Sequence, residues 1–218
     1  MSLDIVQRHP LMCLTQDALP LSHEEQVRRL CAAGARWIQL RMKNAERERW
    51  LATACVVVTI CRAQGAVCII NDDVEIAIAS DAHGVHLGKR DLGWREARRR
   101  LGPEKILGGT VNDAVDASHA MAADCLDYVG VGPWRFTSNK KNLAPVLGPD
   151  GVRALVAQLD GLPAWAIGGI EAADLAAVRA SGVTGAALST ALFRDGRVGD
   201  NVRGLAAAWG SIANELRT

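Results

Sequence analysis

Short apolar runs alternate with amphipathic segments along almost the whole chain. Eight of these runs predict strands, at residues 11–16, 37–42, 66–72, 84–88, 105–111, 128–133, 164–170 and 185–190. The segments between them, and the segment after the last run, have the spacing of helices that bury one face. Because the predicted strands are apolar almost throughout, they indicate a parallel sheet that is covered by helices on both faces.

Local signals mark where several helices begin and end. Ser22 precedes the segment HEEQVRRLCAAG, with Glu25 three residues later, which predicts a capping box at the start and a stop at Gly34. The segment EAADLAAVRASG opens with acidic residues and ends at Gly182, as the helix dipole and the preference for a C-terminal glycine favour. These signals separate each predicted helix from the strand that follows.

Eight β-then-α units without a break predict an α/β fold, a closed (β/α)8 TIM barrel. The alternative is an open, doubly wound sheet, but the regular pattern has no switch point and so favours closure. The chain contains no low-complexity linker. We therefore expect residues 1–218 to form one domain, with strand 1 beginning near residue 11.

Composition excludes several classes of partner. The 218 residues are 49% hydrophobic and 22% charged, which allows a large core, and the net charge is only +1. This balance gives no electrostatic case for binding nucleic acid or a membrane surface. Six scattered cysteines without a C-x-x-C pair, and an N-terminus unlike a signal peptide, indicate reduced thiols in a cytoplasmic protein. Small molecules are the expected partners, and assembly into a homo-oligomer is left open.

Candidate chemistry lies at the predicted strand ends, where barrel active sites form. Gly169 follows strand 7 and the pair Ser189–Thr190 follows strand 8, the usual place for a phosphate bound by backbone N–H groups. Arg41, Lys43 and Lys140 add positive charge at the same rim. The glycine could also serve only a tight turn, and the charges could face water.

Two carboxylates follow neighbouring strands and suggest a metal. Asp72 ends strand 3 and Asp91 follows strand 4. Mg²⁺ is typically held by one or two carboxylates together with the phosphate oxygens of a substrate. Each aspartate also precedes a helical segment, so a role as helix N-cap is the competing interpretation.

A long connection follows strand 6, in the stretch VGVGPWRFTSNKKNLAPVLG. Loops of this length in compact domains are commonly lids or binding loops. Its two lysines, Lys140 and Lys141, predict contact with an anion. The same stretch lacks the third glycine of a dinucleotide site, so that interpretation is not favoured. His83 and His86, three residues apart after strand 3, lack a third ligand nearby, so a metal role for them is not favoured either.

The sequence resembles the thiamine-phosphate synthase family over nearly its whole length. The resemblance is carried by the motifs IQLRMK, INDDVEIAIASDAHGVHLGKRDL, YVGVGPWRFTSNKKNLAPVLG, AIGGI and GAALSTALF. It implies a transferase that joins 4-amino-2-methyl-5-hydroxymethylpyrimidine diphosphate to a thiazole phosphate and releases pyrophosphate, with Mg²⁺ as cofactor. In the family, pyrophosphate leaves first and a pyrimidine carbocation forms.

The resemblance also assigns roles to individual residues. Catalytic roles are implied for Arg41, Lys43 and Lys140, and metal binding for Asp72 and Asp91. The implied substrate contacts are Gln39, Arg41, Lys43 and Asn71 for the pyrimidine diphosphate; Thr110 and Lys140 for the diphosphate or pyrimidine; Thr137 and Asn139 for the thiazole; and Gly169, Ser189 and Thr190 for its phosphate. A thiazole tautomerase on the same barrel and a catalytically silent barrel that binds thiamine intermediates are the alternatives.

Overall fold

Eight parallel strands close into a barrel in the computed structural model, which describes residues 8–43, 45–136 and 144–215, with side chains up to residue 210. Each strand pairs with its neighbours in sequence, and β1 pairs with β8 to complete the ring. The strands are β1 Leu11–Leu14, β2 Trp37–Leu40, β3 Val67–Asn71, β4 Gly84–Leu87, β5 Ile106–Val111, β6 Tyr128–Val131, β7 Ala164–Ile167 and β8 Gly185–Leu188. The predicted TIM barrel is confirmed, and the open sheet is excluded.

Helices surround the barrel and alternate with its strands. They are α1 His23–Ala32, α2 Arg47–Ala63, α3 Val74–Ala79, α4 Trp94–Leu101, α5 Ala114–Ala123, α6 Gly148–Val156, α7 Leu175–Ala180, the short α8 Thr190–Phe193 and α9 Val198–Glu215. Ser22 caps α1 by accepting a hydrogen bond from the Glu25 amide at 3.2 Å, while the Glu25 carboxylate accepts one from Arg29 at 2.7 Å. No helix in the described part of the chain combines the length and apolar character that a bilayer crossing requires.

Seven of the eight strands end earlier than the sequence predicted. Arg41 lies beyond the last residue of β2, and Thr190 is the first residue of α8 rather than the end of β8. After β7, Gly168 and Gly169 have φ angles of +108° and +64°, which are incompatible with extended backbone. The predicted ends of these seven strands were therefore wrong by one to three residues, because the residues there belong to the loops and the short helix of the barrel mouth.

Bulky side chains fill the barrel at the end where the strands begin. Trp37 packs edge-to-face against Trp165, with ring centroids 4.4 Å apart, and against Tyr128, with centroids 5.1 Å apart. All three rings are buried together with Met12 and Ile106 in an interior cluster. This cluster closes one end of the barrel, so that a cavity can form only at the other end, where the strands finish.

Candidate active site

One cavity of about 560 Å³ opens where the strands end, as expected for this fold. Ten of the predicted site residues line it: Gln39, Arg41, Lys43, Asn71, Asp72, Asp91, Thr110, Gly169, Ser189 and Thr190. The other three, Thr137, Asn139 and Lys140, lie outside the described residues. The barrel therefore brings together residues that are up to 151 positions apart in the chain, from Gln39 to Thr190.

The two predicted metal-binding carboxylates face each other in this cavity. Asp72 follows β3 in the left-handed region, with a φ of +72°, and its carboxylate contacts the ammonium group of Lys43. Asp91 accepts a hydrogen bond from the Gly88 amide at 2.6 Å. Burial raises the pKa of Asp91, and the nearby Asp72 carboxylate raises it further, while Lys43 acts in the opposite direction. The arrangement concentrates negative charge that a cation would neutralise.

Neither aspartate is the N-cap of a helix. Asp73 caps α3, because its carboxylate accepts a hydrogen bond from the Ile76 amide at 2.8 Å. Gly93 occupies the corresponding position before α4. The competing interpretation of Asp72 and Asp91 as caps was therefore wrong, and the left-handed backbone of Asp72 explains why the cap moves to the next residue.

The carboxylate pair fits Mg²⁺ that shares its ligands with a substrate. Within the described residues there is no group of three or more His, Cys, Asp or Glu side chains that could hold a metal alone. Mg²⁺ retains several waters and commonly uses one or two carboxylates plus phosphate oxygens. Two facing carboxylates at the rim of the cavity meet that requirement, whereas a zinc site would need more protein ligands.

The charge on Asp91 should make the metal-free fold less stable as the pH rises. A carboxyl group whose pKa is raised by folding is disfavoured in its ionised form, so stability falls as pH increases from its unfolded pKa through its folded pKa. Asp91→Asn should remove this pH dependence, because the amide oxygen can still accept from Gly88. Thermal unfolding of both proteins without Mg²⁺, between mildly acidic and neutral pH, measures the difference. An equal pH dependence in the two proteins would contradict the assignment.

Buried Thr15 and His23, together with exposed Asp17, fix the backbone that carries Arg41 and Lys43. The Thr15 hydroxyl accepts from the Arg41 amide at 3.0 Å, and the Asp17 carboxylate accepts from the Lys43 amide at 2.9 Å. His23 links these two side chains, with ring nitrogens 2.8 Å from Thr15 and 3.0 Å from Asp17. Burial lowers the pKa of Arg41, and Asp72 and Asp17 counteract this effect. Because the ordinary pKa of arginine is so high, Arg41 remains a cation.

The turn after β7 is packed closely against the segment that follows β6. The Arg135 amide donates to the Gly168 carbonyl at 3.0 Å. A Cβ atom at Gly169 would lie 2.5 Å from Cγ of Arg135 and 2.9 Å from the Phe136 carbonyl oxygen. Gly169 therefore serves a tight turn that has no room for a side chain, and it also lines the cavity, where the sequence predicted a phosphate.

Comparison with known proteins identifies the family of this barrel. A sequence model described as thiamine monophosphate synthase matches residues 11–192. The chain belongs to the thiamine monophosphate synthase family. A thiamine-phosphate synthase from Bacteroides fragilis is 43% identical over 190 residues, covering 84% of this chain and 92% of its own. One from Myxococcus xanthus is 39% identical over 203 residues, covering 93% and 92%.

A solved structure supports the same family. Thiamine phosphate pyrophosphorylase from Pyrococcus furiosus superposes with a TM-score of 0.85 at 28% sequence identity, covering 94% of this chain and 98% of its own. These comparisons confirm the predicted family and the transferase class, and with them a function in thiamine phosphate synthesis. This member of the thiamine monophosphate synthase family thus has a complete barrel with the predicted site at its mouth.

The sequence prediction missed His86, which lies inside the barrel mouth. Its Nε2 atom is 3.1 Å from the Thr110 hydroxyl, and its Nδ1 atom is 3.1 Å from the Tyr128 hydroxyl. The sequence pattern draws attention to His86 only as a partner of His83 in a possible metal site, but the His83 ring accepts from the Cys68 amide at 3.0 Å. A polar residue in the middle of the apolar strand GVHL was the available signal.

Proposed function

We propose that the cavity joins 4-amino-2-methyl-5-hydroxymethylpyrimidine diphosphate to a thiazole phosphate. The bond between the pyrimidine methylene and the diphosphate breaks, and its electron pair leaves with pyrophosphate. The thiazole nitrogen then bonds to the methylene and thiamine monophosphate forms. One observation carries the proposal: a facing carboxylate pair with cationic neighbours and a glycine-lined turn lie in the same cavity of about 560 Å³.

Asp72 and Asp91 would hold Mg²⁺, which would neutralise charge on the departing diphosphate when bound. Arg41 and Lys43 lie at the same side of the cavity and would contact the diphosphate oxygens directly. Lys43 now contacts Asp72, and a bound cation would compete for that carboxylate and leave the ammonium group to the diphosphate. Lys140 would add a third positive charge, as the family resemblance implies. Such preformed charges favour the transition state because they need little reorganisation.

Gln39 and Asn71 would recognise the pyrimidine. The Gln39 amide nitrogen donates to the Met12 sulfur at 3.2 Å. The amide oxygen of Gln39 would then accept from the 4-amino group. The Asn71 amide nitrogen is buried without a hydrogen-bond partner among the described residues, so it would donate to the bound substrate.

The opposite side of the cavity would take the thiazole phosphate. Gly169, Ser189 and Thr190 line the cavity where β7 and β8 end, and their backbone N–H groups would bind the phosphate oxygens. Thr137 and Asn139, which lie outside the described residues, would contact the thiazole itself. The pyrimidine methylene carbon and the thiazole nitrogen would then meet in the middle of the cavity, between the two sides.

Gly169→Ala should weaken binding of the thiazole phosphate far more than binding of the pyrimidine diphosphate. The added Cβ would meet Arg135 and Phe136 and would strain a backbone with a φ of +64°. We expect the KM for the thiazole phosphate to rise about tenfold or more, the loss of one or two hydrogen bonds to a charged group. Gly161→Ala is the matched control, because its φ is +84° and a Cβ there meets nothing within 4 Å. Equal changes in both KM values would place the phosphate elsewhere.

We also propose that the protein works in the cytoplasm on small molecules. All six cysteines are free thiols, and Cys13, Cys31, Cys61 and Cys68 are buried. Thiols of this kind suit a reducing compartment. Fractionation of the source cells, followed by detection of the protein with an antibody, tests this location.

Calorimetric titration tests the proposed substrate site. Pyrimidine diphosphate should bind tightly when Mg²⁺ is present and weakly when it is absent, and Asp91→Asn should remove the difference. A thiazole tautomerase needs only the thiazole phosphate site, so it would bind thiazole phosphate and show no Mg²⁺-dependent binding of the diphosphate. That second pattern would overturn the proposal.

A further inference from the structure

A chain of polar side chains crosses the interior of the barrel beneath the cavity. The Gln39 amide reaches the Tyr128 side chain, the Tyr128 hydroxyl lies 3.1 Å from Nδ1 of His86, and Nε2 of His86 lies 3.1 Å from the Thr110 hydroxyl. Gln39, Tyr128 and His86 are buried, while Thr110 is partly exposed and lines the cavity. Three strands, β4, β5 and β6, thus contribute one residue each to a hydrogen-bonded path from the core to the cavity, and Gln39 of β2 lies beside Tyr128.

Glycines on neighbouring strands make room for the two rings of this chain. A Cβ atom at Gly108 would lie 2.2 Å from Cζ of Tyr128 and 2.5 Å from its hydroxyl oxygen. A Cβ atom at Gly130 would lie 3.3 Å from Cε1 of His86. Real side chains do not tolerate the first of these contacts, so Tyr128 can occupy its position only because residue 108 is glycine.

The chemistry of the groups fixes the direction of the hydrogen bonds. The thioether of Met12 can only accept, so the end of Gln39 that faces it is the NH₂ group. Burial raises the pKa of Tyr128 far above its ordinary value, so the phenol keeps its proton. The buried Tyr128 hydroxyl lies within hydrogen-bond distance of Nδ1 of His86, which can accept that proton.

The direction of the first hydrogen bond, between Tyr128 and His86, determines the direction of the second, between His86 and Thr110. Since a buried phenol proton needs an acceptor, the Tyr128 hydroxyl donates to Nδ1 of His86. An imidazole that accepts at Nδ1 carries its proton on Nε2, and that proton is donated to the Thr110 oxygen. The Thr110 hydroxyl proton then has to point elsewhere, and the cavity lies beside it.

We propose that Tyr128 and His86 act as positioning residues that turn the Thr110 hydroxyl into a fixed hydrogen-bond donor to the pyrimidine diphosphate. The inference rests on the proposed function for the identity of that ligand. A donor whose orientation is set before binding stabilises negative charge that develops on a leaving diphosphate, because no reorientation is needed during the reaction. A threonine without this support could equally present its lone pairs, which would repel the same oxygens.

NMR of the imidazole nitrogens of isotope-labelled histidine tests the direction of the chain without any substrate. The His86 signals are assigned by their loss in His86→Asn. In the wild type, Nε2 should carry the proton and Nδ1 should show the shift of a hydrogen-bonded acceptor. In Tyr128→Phe, the Nδ1 signal should move to that of a nitrogen without a donor. A proton on Nδ1 in the wild type would overturn the proposal.

Kinetics of a double-mutant cycle test whether Tyr128 acts through Thr110. Tyr128→Phe should lower kcat/KM for the pyrimidine diphosphate about tenfold, the effect of one hydrogen bond to a charged group, and should leave KM for the thiazole phosphate unchanged. In the Thr110→Val background the same change should have no further effect, whereas in the Thr110→Ser background, which keeps the hydroxyl, the tenfold loss should persist. A loss of equal size in the Thr110→Val background would overturn the proposal.

Trp37→Phe is the matched control for damage to the core. Trp37 packs against Tyr128, and its ring nitrogen is buried without a hydrogen-bond partner among the described residues. This variant should be less stable than the wild type but should keep the same His86 tautomer. Its kcat/KM should stay within about twofold of the wild-type value, a much smaller change than the loss of one hydrogen bond would cause. A tenfold loss of kcat/KM in Trp37→Phe as well would show that Tyr128 contributes only through packing.

If the wild type failed to join the two substrates, the proposed function would be wrong. The NMR result would still show the direction of the hydrogen bonds among Tyr128, His86 and Thr110.

Discussion

Asp72→Asn and Asp91→Asn will each lower Mg²⁺-dependent coupling by about a hundredfold or more, while the barrel stays folded. Each substitution removes one of the two negative charges that face each other at the cavity. A metal that stabilises developing charge contributes several kcal/mol to the transition state, which corresponds to about two or more powers of ten in rate. Initial rates measured over a range of Mg²⁺ concentrations, with circular dichroism to confirm the fold, give the result.

Asp73→Asn provides the matched control for the two metal-site variants. Asp73 is adjacent to Asp72, but its carboxylate caps α3 and pairs with Arg47 at 2.7 Å. Asparagine is also a good N-cap, so this variant should keep both its stability and its Mg²⁺ dependence. The metal assignment is untenable if Asp73→Asn is the most damaging of the three, or if either of the others keeps wild-type activity at limiting Mg²⁺.

Lys140→Ala will lower kcat/KM by about ten- to a hundredfold or more, because a contact between lysine and phosphate oxygens is worth roughly 1.5–3 kcal/mol and should strengthen as pyrophosphate leaves. Both lysines lie outside the described residues, so the assignment rests on the family resemblance. The flanks of their segment support it, since Pro133 on one side and Ala144 on the other line the cavity.

Lys141→Ala is the control for the same segment and should lower kcat/KM much less. The two variants have the same change in charge at adjacent positions, so general electrostatic effects on substrate binding cancel in the comparison. Steady-state rates with the pyrimidine diphosphate as varied substrate distinguish them. If Lys141→Ala lowered kcat/KM more than Lys140→Ala did, Lys140 would not be the lysine that contacts the pyrophosphate.

The hydrophobic pattern was sufficient to predict the barrel and most of the site. Buried parallel strands are apolar throughout, so all eight were recognisable, and closure follows from regular repetition of the same unit. Polar residues that follow each strand necessarily meet at one end of such a barrel. Ten of the predicted residues could therefore be placed at one cavity from the sequence and the family resemblance.

Details that depend on backbone conformation or on distant contacts could not be predicted in this way. The choice between Asp72 and Asp73 as the cap of α3 is decided by the left-handed φ of Asp72, which no local pattern specifies. His86 and Tyr128 are separated by 42 positions and meet only because β4, β5 and β6 are neighbours in the closed sheet. A side chain whose role depends on its partners is visible only once the strands are paired.

Formation of thiamine monophosphate by the purified protein is the most direct test of the proposed function. The protein is incubated with pyrimidine diphosphate, thiazole phosphate and Mg²⁺, and the two products are measured together, with each component omitted in turn. We expect equal amounts of thiamine monophosphate and pyrophosphate in the complete mixture, and product only at background level when any one component is missing. Binding of both substrates without product, or a thiazole phosphate that is merely isomerised, would contradict it.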